Sequence, residues 1–362
     1  MSARVYVTRR LPVEALTGLQ KGIQVETWPE EEAPVPRDTL LHAAGDVEGI
    51  LCMLTDTIDE ELLAAAPGLR IVANMAVGCD NIDVDACTRH GVMATNTPGV
   101  PTETVADLAF GLLLAVARRI PEAERALLAG QWKAWSPMFM VGRDVHGATL
   151  GILGLGRIGR AVARRARGFS MRVLYWDKVR NQDAERTLDV EYTTLDHLLG
   201  RSDYVVVLLP LTGETAGLIG ERELGLMKPT SVLVNVGRGP IVVRQALYDA
   251  LVSKRIWGAG LDVFDHEPVD PDDEIVNLEN VVALPHIGSA SMATRISMAA
   301  LAVENLSTGL AGRLPPNLVN PEVLRYSPES AGRPAIPASE ARPVITASDP
   351  QPQSPQQRGD AG

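Results

Sequence analysis

TLGILGLGRIGRAVARRARGFSMRVLYWD, Thr149–Asp177, is the stretch on which the reading of this chain turns. Its apolar opening, Leu150 to Leu153, has the length of a buried strand. The pattern G-x-G-x-x-G follows at Gly154, Gly156 and Gly159. A helix is predicted from Arg157 to about Phe169, with Ile158, Val162, Ala166 and Phe169 on one face. A second apolar strand, Val173 to Trp176, ends on Asp177, roughly 20 residues beyond the glycines. Gly154 permits the tight turn, Gly156 lets backbone approach a pyrophosphate, and Gly159 lets helix and strand pack closely. The free N–H groups and positive dipole end of the helix then face the phosphates. The glycines alone are a weak signal. Strand, helix, second strand and terminal acid together predict a dinucleotide site. An acid at Asp177 suits the two free ribose hydroxyls of NAD and repels the 2′-phosphate of NADP. Lys178 and Arg180 follow at once, so NAD is favoured and NADP stays open.

A chain of 362 residues is too long for one ordinary core, so two domains are expected. An apolar fraction of 46% and a charged fraction of 22% are those of a globular protein. The net charge of -11 argues against a nucleic-acid partner and against an anionic membrane surface. No apolar run reaches the roughly 18–20 residues of a membrane span, and Met1–Leu11 lacks a signal-peptide core. Cys52, Cys79 and Cys87 form no C-x-x-C, and their odd number suits a reducing compartment. Each reads as a small buried residue rather than a nucleophile. A cytoplasmic protein without a metal site is expected.

Before the glycine motif, strands and helices alternate. Strands are predicted at Val5–Thr8, Val25–Trp28, Gly49–Leu54 and Leu69–Met75. Helices are predicted from Pro12 through Leu19, from Thr39, and over Asp59–Ala66 with a cap near Asp56 or Thr57. This alternation implies a parallel sheet covered on both sides. Thr102–Ile120 is apolar nearly all round and must be buried, in a subunit interface by preference. The reason is the irregular segment Gln131–Met140 behind it, whose Trp132, Trp135, Met138, Phe139 and Met140 need a partner surface. After Asp177 come helices at Leu195–Leu199, Glu221–Met227 and Val243–Val252 and strands at Tyr204–Leu209, Val232–Val236, Ala259–Val263 and Val281–Leu284. A closing helix, Met292–Leu310, is expected to return to the first domain. The Pro-rich residues beyond are expected to be disordered.

Three polar segments follow strands of the nucleotide half and carry Arg238, Glu267 and His286. Gathered on one rim, they fit reduction of a 2-keto acid. A protonated imidazole donates to the oxygen on which charge develops, a carboxylate orients that imidazole, and a guanidinium holds the substrate carboxylate. Singly, each has an ordinary reading: Arg238 as an ion pair, Glu267 as a helix-start acid, His286 as a core histidine. Together, each behind its own strand, they point to catalysis.

These motifs resemble the D-isomer-specific 2-hydroxyacid dehydrogenase family over about residues 4–320. The resemblance rests on NMAVGCDNIDVDAC, NTPGVPTETVADLAFGLLL, the glycine segment, LLPLTGETAGLI, NVGRGPIV, GLDVFDHEP and LPHIGSAS, in the family's order. WSPMFMVG and HIGSAS are most similar to glyoxylate/hydroxypyruvate reductases. The resemblance implies an α/β fold of two doubly wound parallel-sheet domains, Rossmann-like and flavodoxin-like, with a cleft between them. Residues 1–98 with 292–322 would form the substrate-binding domain, 99–291 the NAD(P)-binding domain and 323–362 a disordered tail. A homodimer through the cofactor domain is implied. His286 would be the acid/base, Glu267 its partner and Arg238 the substrate anchor, with the Val77 and Gly78 N–H groups on the substrate carboxylate. Cofactor contacts would come from Thr104, Gly154, Gly156, Arg157, Ile158, Gly159, Asp177, Pro210, Val236, Gly237, Asp262, His286 and Gly288, with Asp262 on the nicotinamide carboxamide. Cys79 stands where relatives often carry a larger residue. Phe139 falls where some glyoxylate reductases send a tryptophan into the neighbouring active site.

The expected activity is NAD(P)H-dependent reduction of a small 2-keto acid, glyoxylate or hydroxypyruvate first. The same scaffold carries phosphite dehydrogenases and NADH-sensing corepressors, which stand as alternatives. Pro285 before the histidine argues against a formate enzyme.

Overall fold

The computed structural model describes residues 2–19 and 22–325. The first part of the chain builds β1 (Arg4–Val7), α1 (Val13–Leu16), β2 (Gln24–Thr27), α2 (Arg37–Ala44), β3 (Gly49–Cys52), α3 (Glu60–Ala65), β4 (Ile71–Asn74), α4 (Val84–Arg89) and β5 (Met93–Thr95). Its five strands pair in parallel in the order β2-β1-β3-β4-β5. Next come α5 (Thr102–Ala117), α6 (Ile120–Leu128), β6 (Thr149–Leu153), α7 (Arg157–Gly168), β7 (Arg172–Trp176), α8 (Gln182–Leu188), β8 (Val190–Tyr192) and α9 (Leu195–Arg201). β9 (Tyr204–Val207), α10 (Glu221–Leu226), β10 (Val232–Asn235), α11 (Arg244–Val252), β11 (Gly258–Leu261) and β12 (Val281–Ala283) follow. These strands form a seven-stranded parallel sheet in the order β12-β11-β10-β9-β6-β7-β8. The chain reverses its direction of travel across this sheet at β6 and β9, and across the other at β1 and β3.

Strands that are apolar throughout explain why both sheets are covered on two faces. GILC, IVAN, YVVV and VLVN are buried at every position. Helix starts are set by side chains that accept otherwise orphaned N–H groups: Asp59 from Leu62, Asp83 from Ala86, Thr194 from His197 and Ser291 from Thr294. The cap of α3 is therefore Asp59, not Asp56 or Thr57. Asp56 is 3% exposed and instead accepts from the Thr8 hydroxyl and the Met53 N–H.

The helix expected over Thr102–Ile120 forms as α5 but ends early, at Ala117, and a separate helix starts at Ile120. Arg119 takes a left-handed backbone, φ 54°, and Pro121 opens α6. Nor does α5 need a subunit interface. Its buried residues Val105, Ala109, Phe110, Leu112, Leu113 and Val116 pack within the chain, against α7 and the β10–β12 side of the sheet. The segment behind it is exposed as expected, with Trp135 82% and Met138 76% accessible. No helix among the described residues is long and apolar enough to cross a membrane.

The last helix, α12 (Met292–Leu310), lays Met298, Ala299, Ala302, Val303 and Leu306 against the five-stranded sheet and completes one of its two cores. The chain then runs along β5. Asn320, 1% exposed, accepts from the Ala94 N–H and donates to the Val92 carbonyl and the Thr88 hydroxyl. That anchor carries order past the expected start of the tail at 323, because Pro321–Arg325 forms a 3-10 helix with Val323 buried. The remainder of the expected disordered tail, 326–362, lies outside the described residues. Replacing Asn320 by Ala leaves two buried backbone groups unpaired. Urea unfolding should show a loss of about 1–3 kcal/mol; an unchanged midpoint would mean water repairs the gap.

Candidate active site

Four loops at the C-terminal ends of strands in the larger sheet carry the site. The first leaves β6. Gly154 has φ +99°, a conformation L side chains rarely adopt. A Cβ on Gly159 would collide with the Gly154 carbonyl, whereas one on Gly156 would meet nothing within 4 Å. The turn, the close packing and the open approach assigned to these three glycines are thus all present. The N–H groups of Gly156, Arg157 and Ile158 find no acceptor among the described residues. This cradle fits a nucleotide diphosphate.

Asp177, at the end of β7, accepts the Leu155 N–H at 2.8 Å and so braces the same turn. Its cationic neighbours are engaged elsewhere. Lys178 pairs with Glu214 at 2.7 Å. Arg180 pairs with Glu185 at 2.8 Å and lies over the Tyr192 ring.

The three other loops leave β10, β11 and β12, which are neighbours in the sheet. Behind β10, Val236 and Gly237 lead to Arg238, and Gly237 donates to the Asn235 side chain at 3.1 Å. Glu267 follows β11 and His286 follows β12. Their side chains meet, Glu267 Oε2 lying 2.6 Å from His286 Nδ1, with both about one-quarter exposed at 26%. Facing an ionised carboxylate, Nδ1 carries the proton and donates it. Nε2 is left without a partner among the described residues. Burial pushes the Glu267 carboxyl up, but the His286 hydrogen bond and charge, the Phe264 N–H and Arg238 outweigh it and hold Glu267 below its ordinary range.

His286 has φ 51°, a left-handed backbone that is uncommon for a side-chain-bearing residue. Asp262, 1% exposed, secures it. Its two oxygens accept the N–H groups of Ile287 at 2.7 Å and Gly288 at 2.8 Å. Burial raises the Asp262 carboxyl, against those N–H bonds and the neighbouring His286. The expected contact of Asp262 with a nicotinamide accordingly has a structural companion that sequence reasoning missed.

The smaller sheet supplies the facing wall. The loop after β4 is tied down by amides. Asn74 donates to the Gly78 carbonyl at 3.1 Å, Asn96 to the Val77 carbonyl at 2.7 Å, and Asn81 to the Met53 and Asp56 carbonyls. The Val77 and Gly78 N–H groups have no acceptor among the described residues. Arg238 crosses to this loop, pairs with Asp80, and lies so close to Gly78 that a Cβ there would strike its guanidinium. Arg238 is therefore an ion-pair member as well as a candidate anchor. Burial and Asp80 push the Cys79 thiol up to about 11, which suits a neutral lining residue rather than a nucleophile. Thr104, on the first turn of α5, lies 2.6 Å from the Thr294 hydroxyl on α12. Pro210 is exposed just past β9, its carbonyl accepting the Thr215 hydroxyl at 2.6 Å.

A family profile, D-isomer specific 2-hydroxyacid dehydrogenase, NAD binding domain, matches residues 110–288. The chain is 51% identical to a glyoxylate reductase of Korarchaeum cryptofilum over 91% of this chain and 99% of the relative. Among solved structures it resembles an NADPH-dependent glyoxylate/hydroxypyruvate reductase from Sinorhizobium meliloti in complex with NADP and malonate, with a TM-score of 0.76 and 35% identity. That likeness covers 89% of this chain and 98% of the other. A glyoxylate reductase from Paecilomyes thermophila has a TM-score of 0.77 at 32% identity, covering 89% and 99% respectively.

The depressed Glu267 carboxyl has a consequence for stability. An acid whose folded value lies below its unfolded value stabilises fully above the latter and loses that contribution as pH falls through the former. The melting temperature of the wild type should exceed that of Glu267→Gln near neutral pH, and the gap should close as pH drops below about 4.5. A gap independent of pH would show that the charge of Glu267 is not what stabilises the loop.

Proposed function

This chain belongs to the D-isomer specific 2-hydroxyacid dehydrogenase family, and from that premise we propose that it reduces a small 2-keto acid, glyoxylate or hydroxypyruvate, to the D-2-hydroxy acid with NAD(P)H. The observation that carries this reading is the Glu267–His286 pair beside Arg238, delivered by three adjacent strands next to the glycine cradle. The relatives favour it over a phosphite enzyme or a corepressor. Residues 1–98 with 292–325 serve as the substrate half and 99–291 as the cofactor half.

The chemistry a reduced nicotinamide would supply when bound is the hydride. Gly154, Gly156, Arg157, Ile158 and Gly159 would hold the pyrophosphate and Asp177 the ribose. Thr104, Pro210, Val236, Gly237, Asp262, His286 and Gly288 would line the rest of the cofactor cleft. The protein's own chemistry is then positioning and proton transfer. Arg238 and the Val77 and Gly78 N–H groups fix the substrate carboxylate. His286 gives its Nε2 proton to the keto oxygen as negative charge develops there, and Glu267 steadies the imidazolium through Nδ1. His286→Ala should lower kcat by about 100-fold or more, read by the rate of absorbance loss at the nicotinamide band. Undiminished turnover would end the proposal.

For cofactor choice, Asp177 is an anion, and Lys178 and Arg180 are already committed to Glu214 and Glu185. NAD(H) is therefore the preferred partner. In steady-state assays kcat/KM for NADH should exceed that for NADPH, and Asp177→Ser should narrow the ratio by about tenfold, or ~1.4 kcal/mol. A preference for NADPH in the wild type would reverse this assignment.

The exposed apolar run Leu127, Leu128, Trp132, Trp135, Met138 and Phe139 suits burial against a second copy of the chain. In that homodimer Phe139 would approach the neighbouring active site. Phe139→Ala should then alter selectivity among 2-keto acids; an unchanged ranking across glyoxylate, hydroxypyruvate and pyruvate would dispose of that role.

A further inference from the structure

Arg238 is the one member of the trio whose side chain reaches from the larger sheet to the smaller. Its Nε donates to Asp80 Oδ2, across 158 positions of sequence. Its Nη1 donates to the Gly237 carbonyl at 2.8 Å. The Arg238 side chain is 27% exposed and that of Asp80 34%, so the pair sits on the solvent-accessible wall between the two sheets rather than in a core. Asp80 belongs to a rigid wall, because the Asn74 and Asn81 amides on either side of it are bonded to each other at 3.0 Å. On the same wall, Asp80 Oδ2 would lie 3.0 Å from a Cβ at Gly78. The carboxylate and the guanidinium thus lie together against the Gly78 backbone.

We propose that Asp80 is a positioning residue for substrate binding: it grips Arg238 at Nε and fixes the plane in which the guanidinium presents itself to the substrate carboxylate. An arginine held at one edge has lost the rotamer freedom it would otherwise surrender on binding. Because Asp80 and Arg238 hang from different sheets, the grip exists only when the two halves stand close. Asp80 also offsets one positive charge. The anchor therefore discriminates by the geometry of paired hydrogen bonds more than by net attraction for any anion. This inference rests on the reading of Arg238 as the substrate anchor.

The full-length enzyme tests it through steady-state kinetics with glyoxylate and NADH, on Asp80→Ala, Asp80→Asn, Arg238→Ala and the double alanine variant. Asp80→Ala should lower kcat/KM for glyoxylate by about 10- to 100-fold, chiefly through KM, as expected for loss of a charge-assisted hydrogen bond. NADH binding, followed by fluorescence titration, should stay within about twofold. Asp80→Asn keeps an acceptor oxygen for Nε and should recover part of the loss. In the Arg238→Ala background the Asp80→Ala change should add nothing, since the two act as one unit. Equal losses in both backgrounds would overturn the proposal, as would a lower KM in Asp80→Ala, which would make Asp80 a competitor of the substrate. If Arg238→Ala itself keeps full activity, the anchor reading fails, and that outcome is distinct from a normal Arg238 requirement with an indifferent Asp80.

Discussion

Every strand of the larger sheet runs in the same direction, so each loop leaving a C-terminal strand end lands on one rim. All else in the site depends on that constraint. Arg238, Glu267 and His286 are separated along the chain, yet they follow β10, β11 and β12, which stand side by side. The 2.6 Å contact between Glu267 and His286 needs no long-range device beyond parallel pairing of β11 with β12. What the sheet cannot supply is the direction of the imidazole. That comes from the left-handed backbone at His286, kept in place by the two N–H groups that Asp262 accepts.

The electrostatics of the site are local. A net charge of -11 would repel a small anionic substrate at long range. Against this stand the Val77 and Gly78 N–H groups, which lack an acceptor among the described residues, and the Arg238 guanidinium paired with Asp80, all at the cleft wall. Short-range hydrogen-bond geometry thus has to accomplish what the overall field opposes. On the cofactor side, the cations Lys178 and Arg180 that follow Asp177 in sequence are paired with Glu214 and Glu185 in the fold.

Elements with strong periodicity were readable from residues alone. The strand-glycine-helix-strand unit at 149–177 stands as expected, because its tight turn and close packing can be met only by glycine. Short or polar elements were not readable. α8 is QDAERTL, β8 is VEY and β5 is MAT, too brief or too hydrophilic to show a period. The break at Arg119 is marked in the sequence by Pro121 two residues on, but not the left-handed turn that makes it. At the site, the convergence of Arg238, Glu267 and His286 was legible because each sits behind a recognisable strand. The roles of Asp80 and Asp262 could not, since their partners lie 158, 25 and 26 positions away and no local pattern announces them.

The helix α12 has a bearing on how the molecule is made. One core of the five-stranded sheet consists of residues from β1, β3 and β4 together with Met298, Val303 and Leu306. A ribosome releases the first strands long before those three side chains exist. Until then that face of the sheet translated earliest is covered only in part, by α1, while every strand of the glycine-motif sheet inserted between has already been made. For a nascent chain of this design, the face of the sheet made first is among the last parts to be completed.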